Sequence, residues 1–121
     1  MTPAEFLKRV ANRLGVLPIG QALGAEDAEL IQTAYTGLLA ELAEHKLAWW
    51  SSDEDVPDEM VEPLSGMVAA SVVDDFSIAE PRRSMLISQH GYGLPVASVA
   101  ERRLRALAAS PSSYPVEIEY L

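Results

Sequence analysis

The chain contains no cysteine, which excludes a disulfide framework, thiolate metal ligands and a cysteine nucleophile. Histidine is scarce: His45 and His90 stand in different parts of the chain, outside any H-E-x-x-H spacing, so a histidine-built metal centre is not expected. No apolar run approaches the roughly 18 residues of a membrane span, and the opening residues lack the basic-then-apolar order of a signal peptide. The chain is therefore expected to be soluble and unsecreted, with no membrane contact. Cations are few, nine Lys and Arg against 18 acids for a net charge of -9. Nucleic acids are bound tightly by Lys and Arg neutralising phosphates, so sequence-specific DNA binding is not expected.

What the chain does have is apolar residues, 49% of 121, enough to bury the core of one small domain. Its negative charge is placed unevenly. From Glu26 to Glu62 eleven acids face Lys46 alone, whereas from Pro63 onward six acids meet five arginines.

The longest periodic stretch runs from Ala25 to Trp50. Leu30, Ile31, Tyr35, Leu38, Leu39 and Leu42, with Ala34 and Ala43, recur at i, i+4 spacing and form the stripe of an amphipathic helix closed by Leu47, Trp49 and Trp50. Gly37 inside it costs roughly 1 kcal/mol relative to alanine, which points to a neighbouring backbone packed closely there. Other helices must cover this one. Thr2-Pro3-Ala4-Glu5 opens a first helix with a capping-box spacing, Phe6, Leu7, Val10 and Leu14 form its inner side, Glu5 can pair with Arg9, and Gly15 ends it. Val16 to Gly24 reads as a loop. After an acidic turn over Ser51 to Val56, Pro57, Asp58 and Glu59 open a third helix whose row Met60, Leu64, Val68, Val72 and Phe76 extends through MVAASVV. That stretch is apolar nearly all round, which suits a central helix or one that also meets a neighbouring subunit. A short helix follows from Pro81 to Ile87, then a glycine-bearing break, then a last helix from about Val96 to Ala109.

The expected fold is thus all-α: a bundle of about four helices over residues 1 to 109, with an extended C-terminal arm over 110 to 121. In that arm Tyr114, Val116, Ile118 and Tyr120 alternate with Pro115, Glu117 and Glu119 before Leu121, a strand pattern with no partner strand elsewhere in the sequence. Tyr114, Pro115, Val116, Ile118, Tyr120 and Leu121 are the candidate partner-binding residues, since such an arm can add itself to a neighbour through its backbone and alternate side chains.

No constellation for catalysis is found, and no metal or cofactor is expected. A calcium loop counted from Asp53 fails because its sixth position is Asp58 instead of glycine and its twelfth is Leu64 instead of Glu. Gly91-Tyr92-Gly93 lacks the third glycine and the lysine of phosphate loops. The acids Glu41, Glu44, Asp53, Glu54, Asp55, Asp58, Glu59 and Glu62 read as an anionic, solvated surface. Arg82, Arg83, Arg102, Arg103 and Arg105, with Gly37, Trp49 and Trp50, are candidates for subunit contacts, because arginine pairs bidentately with the carboxylates of a second copy.

The order Asn12-Arg13-Leu14-Gly15-Val16, then Gly24-Ala25-Glu26-Asp27-Ala28, then Tyr35 through Leu42, Trp49-Trp50 and Val56-Pro57-Asp58-Glu59 resembles the head-tail adaptor, or connector, proteins of tailed bacteriophages, including the packaged-DNA-stabilising tail accessory proteins. The resemblance covers roughly Phe6 to Phe76. It implies a non-enzymatic structural subunit of the virion neck, assembled in the host cytoplasm as a homo-oligomeric ring between portal and tail proteins. Double-stranded DNA would pass through such a ring, held off by acidic residues. The runner-up in another class is a small acidic regulatory or antitoxin-like protein that binds a single protein partner.

Overall fold

The structure is a computed structural model and describes residues 1–109; the candidate arm residues Tyr114, Pro115, Val116, Ile118, Tyr120 and Leu121 lie outside that range. Five α-helices pack together, α1 Pro3–Leu14, α2 Ala25–Glu44, α3 Val61–Ser71, α4 Arg82–His90 and α5 Val99–Ala109, with one 3-10 turn, Asp58–Met60, leading into α3. No strand is present among the described residues.

Helix α1 starts as its residues require. The Thr2 hydroxyl accepts the Glu5 N–H and the Glu5 carboxylate accepts the Thr2 N–H, a complete capping box with Pro3 behind it. The carboxylate so engaged is held below its ordinary range, first by the Thr2 backbone bond. Arg9 does not pair with it and reaches α3 instead. Gly15 closes α1 in the left-handed region at φ 83°, which only glycine occupies without cost.

Helix α2 is shorter than its apolar pattern. It stops at Glu44, where Lys46 takes a left-handed φ of 60°. The Lys46 N–H bonds the Ala43 carbonyl at 3.0 Å and the Leu47 N–H bonds that of Leu42 at 2.8 Å, a Schellman closure that brings buried Leu47 back onto buried Leu42. The chain then carries Ala48 and Trp50 into the core.

Helix α3 is the centre of the molecule. It packs against α1, α2, α4 and α5, and every residue from Val61 to Ala70 except Glu62 is buried. Its all-round apolar character is therefore consumed within the chain, as the central-helix alternative requires. Pro63 sits in its first turn, where the missing N–H leaves no helical bond unmade. The helix ends at Ser71, and the run to Phe76 continues as turns. Ser77 at φ 54° and the bond from the Ile78 N–H to the Val73 carbonyl, 3.0 Å, complete a second closure of the same kind.

Phe6 of α1 and Tyr35 of α2, both fully buried, meet with ring centroids 4.7 Å apart. Helix α4 begins at Arg82 and runs to His90, three residues past the expected end at Ile87, and α5 begins at Val99, three residues after the expected Val96.

Candidate functional site

An apolar cleft of 540 Å³ opens between α2, α3, α4 and the turn that follows α4. Ala34 and Leu38 come from one wall, Met67 and Ala70 from the floor, Ile87 and Leu94 from the other wall, and Glu41, Ser71 and Tyr92 supply its polar groups. A second open cleft of 550 Å³ shares Leu94 and continues past Pro95, Val96 and Val99 to Arg102 at the start of α5. The turn between them is held by α5: the Gly93 N–H donates to buried Glu101 at 3.0 Å, and Glu101 also accepts from Arg105 Nε at 3.0 Å. The Ser71 hydroxyl donates to the Val68 carbonyl at 2.7 Å, and no group of three metal-ligating side chains occurs among the described residues.

On the opposite flank of α3 a polar cluster joins α1, α3 and α4. Arg9 donates through Nη2 to both oxygens of the Glu62 carboxylate, at 2.9 and 3.1 Å, and Arg13 Nη2 donates to Oε1 of the same carboxylate. Arg13 also donates through Nε to the Ser65 hydroxyl at 2.9 Å. The Arg9 bond leads in holding the Glu62 carboxyl below its usual range, against a smaller opposing effect of burial. Arg82 of α4 donates to the Arg13 carbonyl at 2.7 Å and lays its guanidinium against Gly15. Beside this cluster the His90 ring lies flat against α3: a Cβ on Gly66 would stand 2.4 Å from its Nδ1. That Nδ1 is buried without a hydrogen-bond partner, and burial, with help from the Arg13 charge, depresses the imidazole pKa.

The candidate residues fall into three groups. Two are corrected by where they sit. Trp50 is 8% exposed and its indole N–H donates to the Tyr35 hydroxyl at 2.9 Å, so it completes the core and offers no surface to a subunit. Glu62 is an α1–α3 clamp, and its charge is neutralised by two arginines instead of joining an anionic surface. A second group is engaged within the chain yet reaches solvent. Arg83 pairs with Asp74 at 2.7 Å and Glu80 at 3.7 Å, Arg105 with Glu101, and Arg82 as above. Asp53 and Glu54 accept bonds from Ser51, and Asp58 lies 3.4 Å from the amino terminus.

The third group is open. Glu41, Glu44, Asp55 and Glu59 are exposed, as are Arg102 and Arg103, which form no ion pair with any described residue. Trp49 is 41% exposed with its ring edge-on to Trp50. Gly37 is exposed, and a Cβ built there meets nothing within 4 Å, so no backbone among the described residues packs on it. Of the two helical glycines the one that carries a close approach is Gly66, whose place in an apolar run concealed it.

No helix among the described residues is long and apolar enough to cross a membrane. Comparison with family models, with characterised proteins and with solved structures finds nothing that matches this chain.

Proposed function

We propose that this chain is a non-enzymatic adaptor subunit that assembles into a ring between the portal and the tail of a phage particle and continues the DNA channel. The observation that carries the reading is a division of exposed charge. Glu41, Glu44 and the acids of the Asp53 to Glu59 turn present carboxylates to solvent, while Arg102 and Arg103 on α5 present cations without an ion-pair partner among the described residues. Two patches of opposite sign on one subunit suit a head-to-tail contact, and a head-to-tail contact repeated around an axis closes a ring. The remaining carboxylates, turned toward a lumen, would keep the DNA phosphates from adhering, since like charges repel within the Debye length. The apolar residues of α3 are all buried within the domain, so contacts between subunits fall to the other helices.

Negative-stain electron microscopy of the purified protein, alone and mixed with its portal, tests this. Rings seated on the portal are expected, and they should loosen with salt and with Arg102→Glu plus Arg103→Glu. A stable one-to-one complex with an unrelated protein, and no portal binding at any ionic strength, would replace the adaptor with a single-partner regulator.

A further inference from the structure

The second cleft, 550 Å³, lies where α4, the turn after it and the start of α5 meet, and Ser88, Leu94, Val96, Val99 and Arg102 help to line it. Val96 is 81% and Val99 59% exposed. Large apolar side chains left this open at one groove mark a contact surface. The groove also leads somewhere. Val99, Arg102, Ala106 and Ala109 stand at i, i+3, i+7 and i+10, so they share one face of α5, and all four are exposed, with exposed Arg103 beside them. This face bears cations and small side chains but no acid, and it runs from the groove to the residue after which residues 110–121 begin.

We propose that residues 110–121 turn back along this face and dock in the groove of their own chain. The sequence suits that path. Pro111 disfavours helix at Ser110 and, with Ser112 and Ser113, favours a reversal. Beyond it Tyr114, Val116, Ile118 and Tyr120 alternate with Pro115, Glu117 and Glu119. In an extended run the first set faces one way and the second the other. The apolar side chains then enter the groove, and the two glutamates stay at its open rim. There Arg102 and Arg103 form no ion pair among the described residues.

The distances permit it. From Ala109 to Glu119 the chain spans up to about 35 Å, whereas Arg102 lies about 10 Å and Val99 about 15 Å back along α5. Tyr114 to Tyr120 covers about 20 Å, so a reversal before Tyr114 brings Ile118 and Tyr120 to the groove. A tether this short gives the segment an effective concentration on the order of millimolar. A modest apolar contact therefore closes within one chain before a second copy competes for it. The open groove leaves the docked backbone in reach of water, so its N–H and C=O groups are not stranded. The contact stands apart from the adaptor reading: rings can form with or without it, and it survives their absence.

Paramagnetic broadening in the full-length protein tests this. The chain has no cysteine, so Leu121→Cys supplies a single nitroxide site. In one sample ¹⁵N-labelled, spin-labelled chain is diluted into unlabelled protein without nitroxide, and broadening reports contacts within a chain. In the other, ¹⁵N-labelled chain without nitroxide is mixed with unlabelled spin-labelled chain, and broadening reports contacts between copies. Broadening of the Ser88, Val96, Val99 and Arg102 amides is expected in the first sample and its absence in the second. Val96→Asp should abolish it, because a charge then stands in the apolar groove; at 81% exposure the position tolerates the change without unfolding. Arg102→Glu should weaken the broadening, and Glu117→Arg with Glu119→Arg in the same chain should restore it. No broadening at the groove, broadening centred on another surface, or persistence in the Val96→Asp variant overturns the proposal. Broadening of the groove in the second sample alone also overturns it and makes a second copy the occupant.

Discussion

Helices α2 and α3 carry similar apolar content and do opposite things with it. Helix α2 buries Ile31, Tyr35, Leu39 and Leu42 and leaves its acids and Gly37 in solvent; α3, about half as long, is buried on every side from Val61 to Ala70 but for Glu62. The longer helix is the more conspicuous in the sequence, yet the shorter one organises the domain. A 20-residue amphipathic helix can be covered from one side, whereas a helix apolar all round must be enclosed by its neighbours. The chain accordingly places α1, α2, α4 and α5 against α3.

Truncation separates the two helices most sharply. Leu64→Ala in α3 removes a fully buried side chain from a site closed on all sides and should cost about 4 kcal/mol. Leu38→Ala, half-buried at the cleft in α2, should cost about 1 kcal/mol, because the open cleft leaves no enclosed void. Urea denaturation of both variants checks the ratio; equal losses would mean that α3 is not the centre of the core.

The helical glycines extend the comparison and have opposite expected signs. At Gly66 an added methyl collides with the His90 ring; overpacking of this kind costs about 1–3 kcal/mol, and the gain of roughly 1 kcal/mol in helix propensity offsets only part of it. Gly66→Ala should therefore lower stability by about 1 kcal/mol. Gly37→Ala meets open space and should raise it by about 0.5–1 kcal/mol. If Gly37 lies against a neighbouring subunit, the same substitution stabilises the free chain while reducing assembly, so sedimentation run beside denaturation distinguishes an interface from an idle position.

These positions also mark how far the sequence could be read. The all-α class, the capping box at Thr2 and Glu5 and the stop at Gly15 were legible because each rests on local rules. The stop of α2 at Glu44 and the turn closure at Ser77 were not. All three closures use the same hydrogen bonds, but the left-handed residue is glycine only in the first, and it is Lys46 and Ser77 in the others. Packing of Leu47 and Ile78 onto the core overrides a local preference of about 1 kcal/mol, and no pattern confined to one segment reports that. Trp50 was misplaced for a related reason, since its hydrogen bond to Tyr35 spans 15 residues and follows from the reversal at Lys46. His90 reaches Gly66 through the tertiary fold alone.

The smallest expected effect is a pH dependence on the polar flank of α3, in two separable windows. His90 has a folded pKa below its ordinary 6.5: the unfolded chain takes up the proton first, so stability declines as pH falls below about 6.5 and levels off under the folded value. Glu62 has a folded pKa below 4.5, so its contribution is present above that value and is lost as pH falls through the folded pKa. Its side chain is 39% exposed, and solvent screening limits the effect to about 1 kcal/mol or less. Chemical denaturation from pH 8 to pH 3 should therefore show two shallow declines. His90→Phe should remove the upper one, and Glu62→Gln should make the lower one shallower without removing it, because Glu5, Asp53, Asp74 and Glu80 are also held below their ordinary range. Glu62→Gln should in addition deepen the upper decline slightly, since the Glu62 charge opposes that of Arg13 at His90. Loss of both declines in either variant would mean that the imidazole and the Arg9–Glu62–Arg13 clamp titrate as one unit, and α1 and α4 would then be coupled across α3 instead of held to it separately.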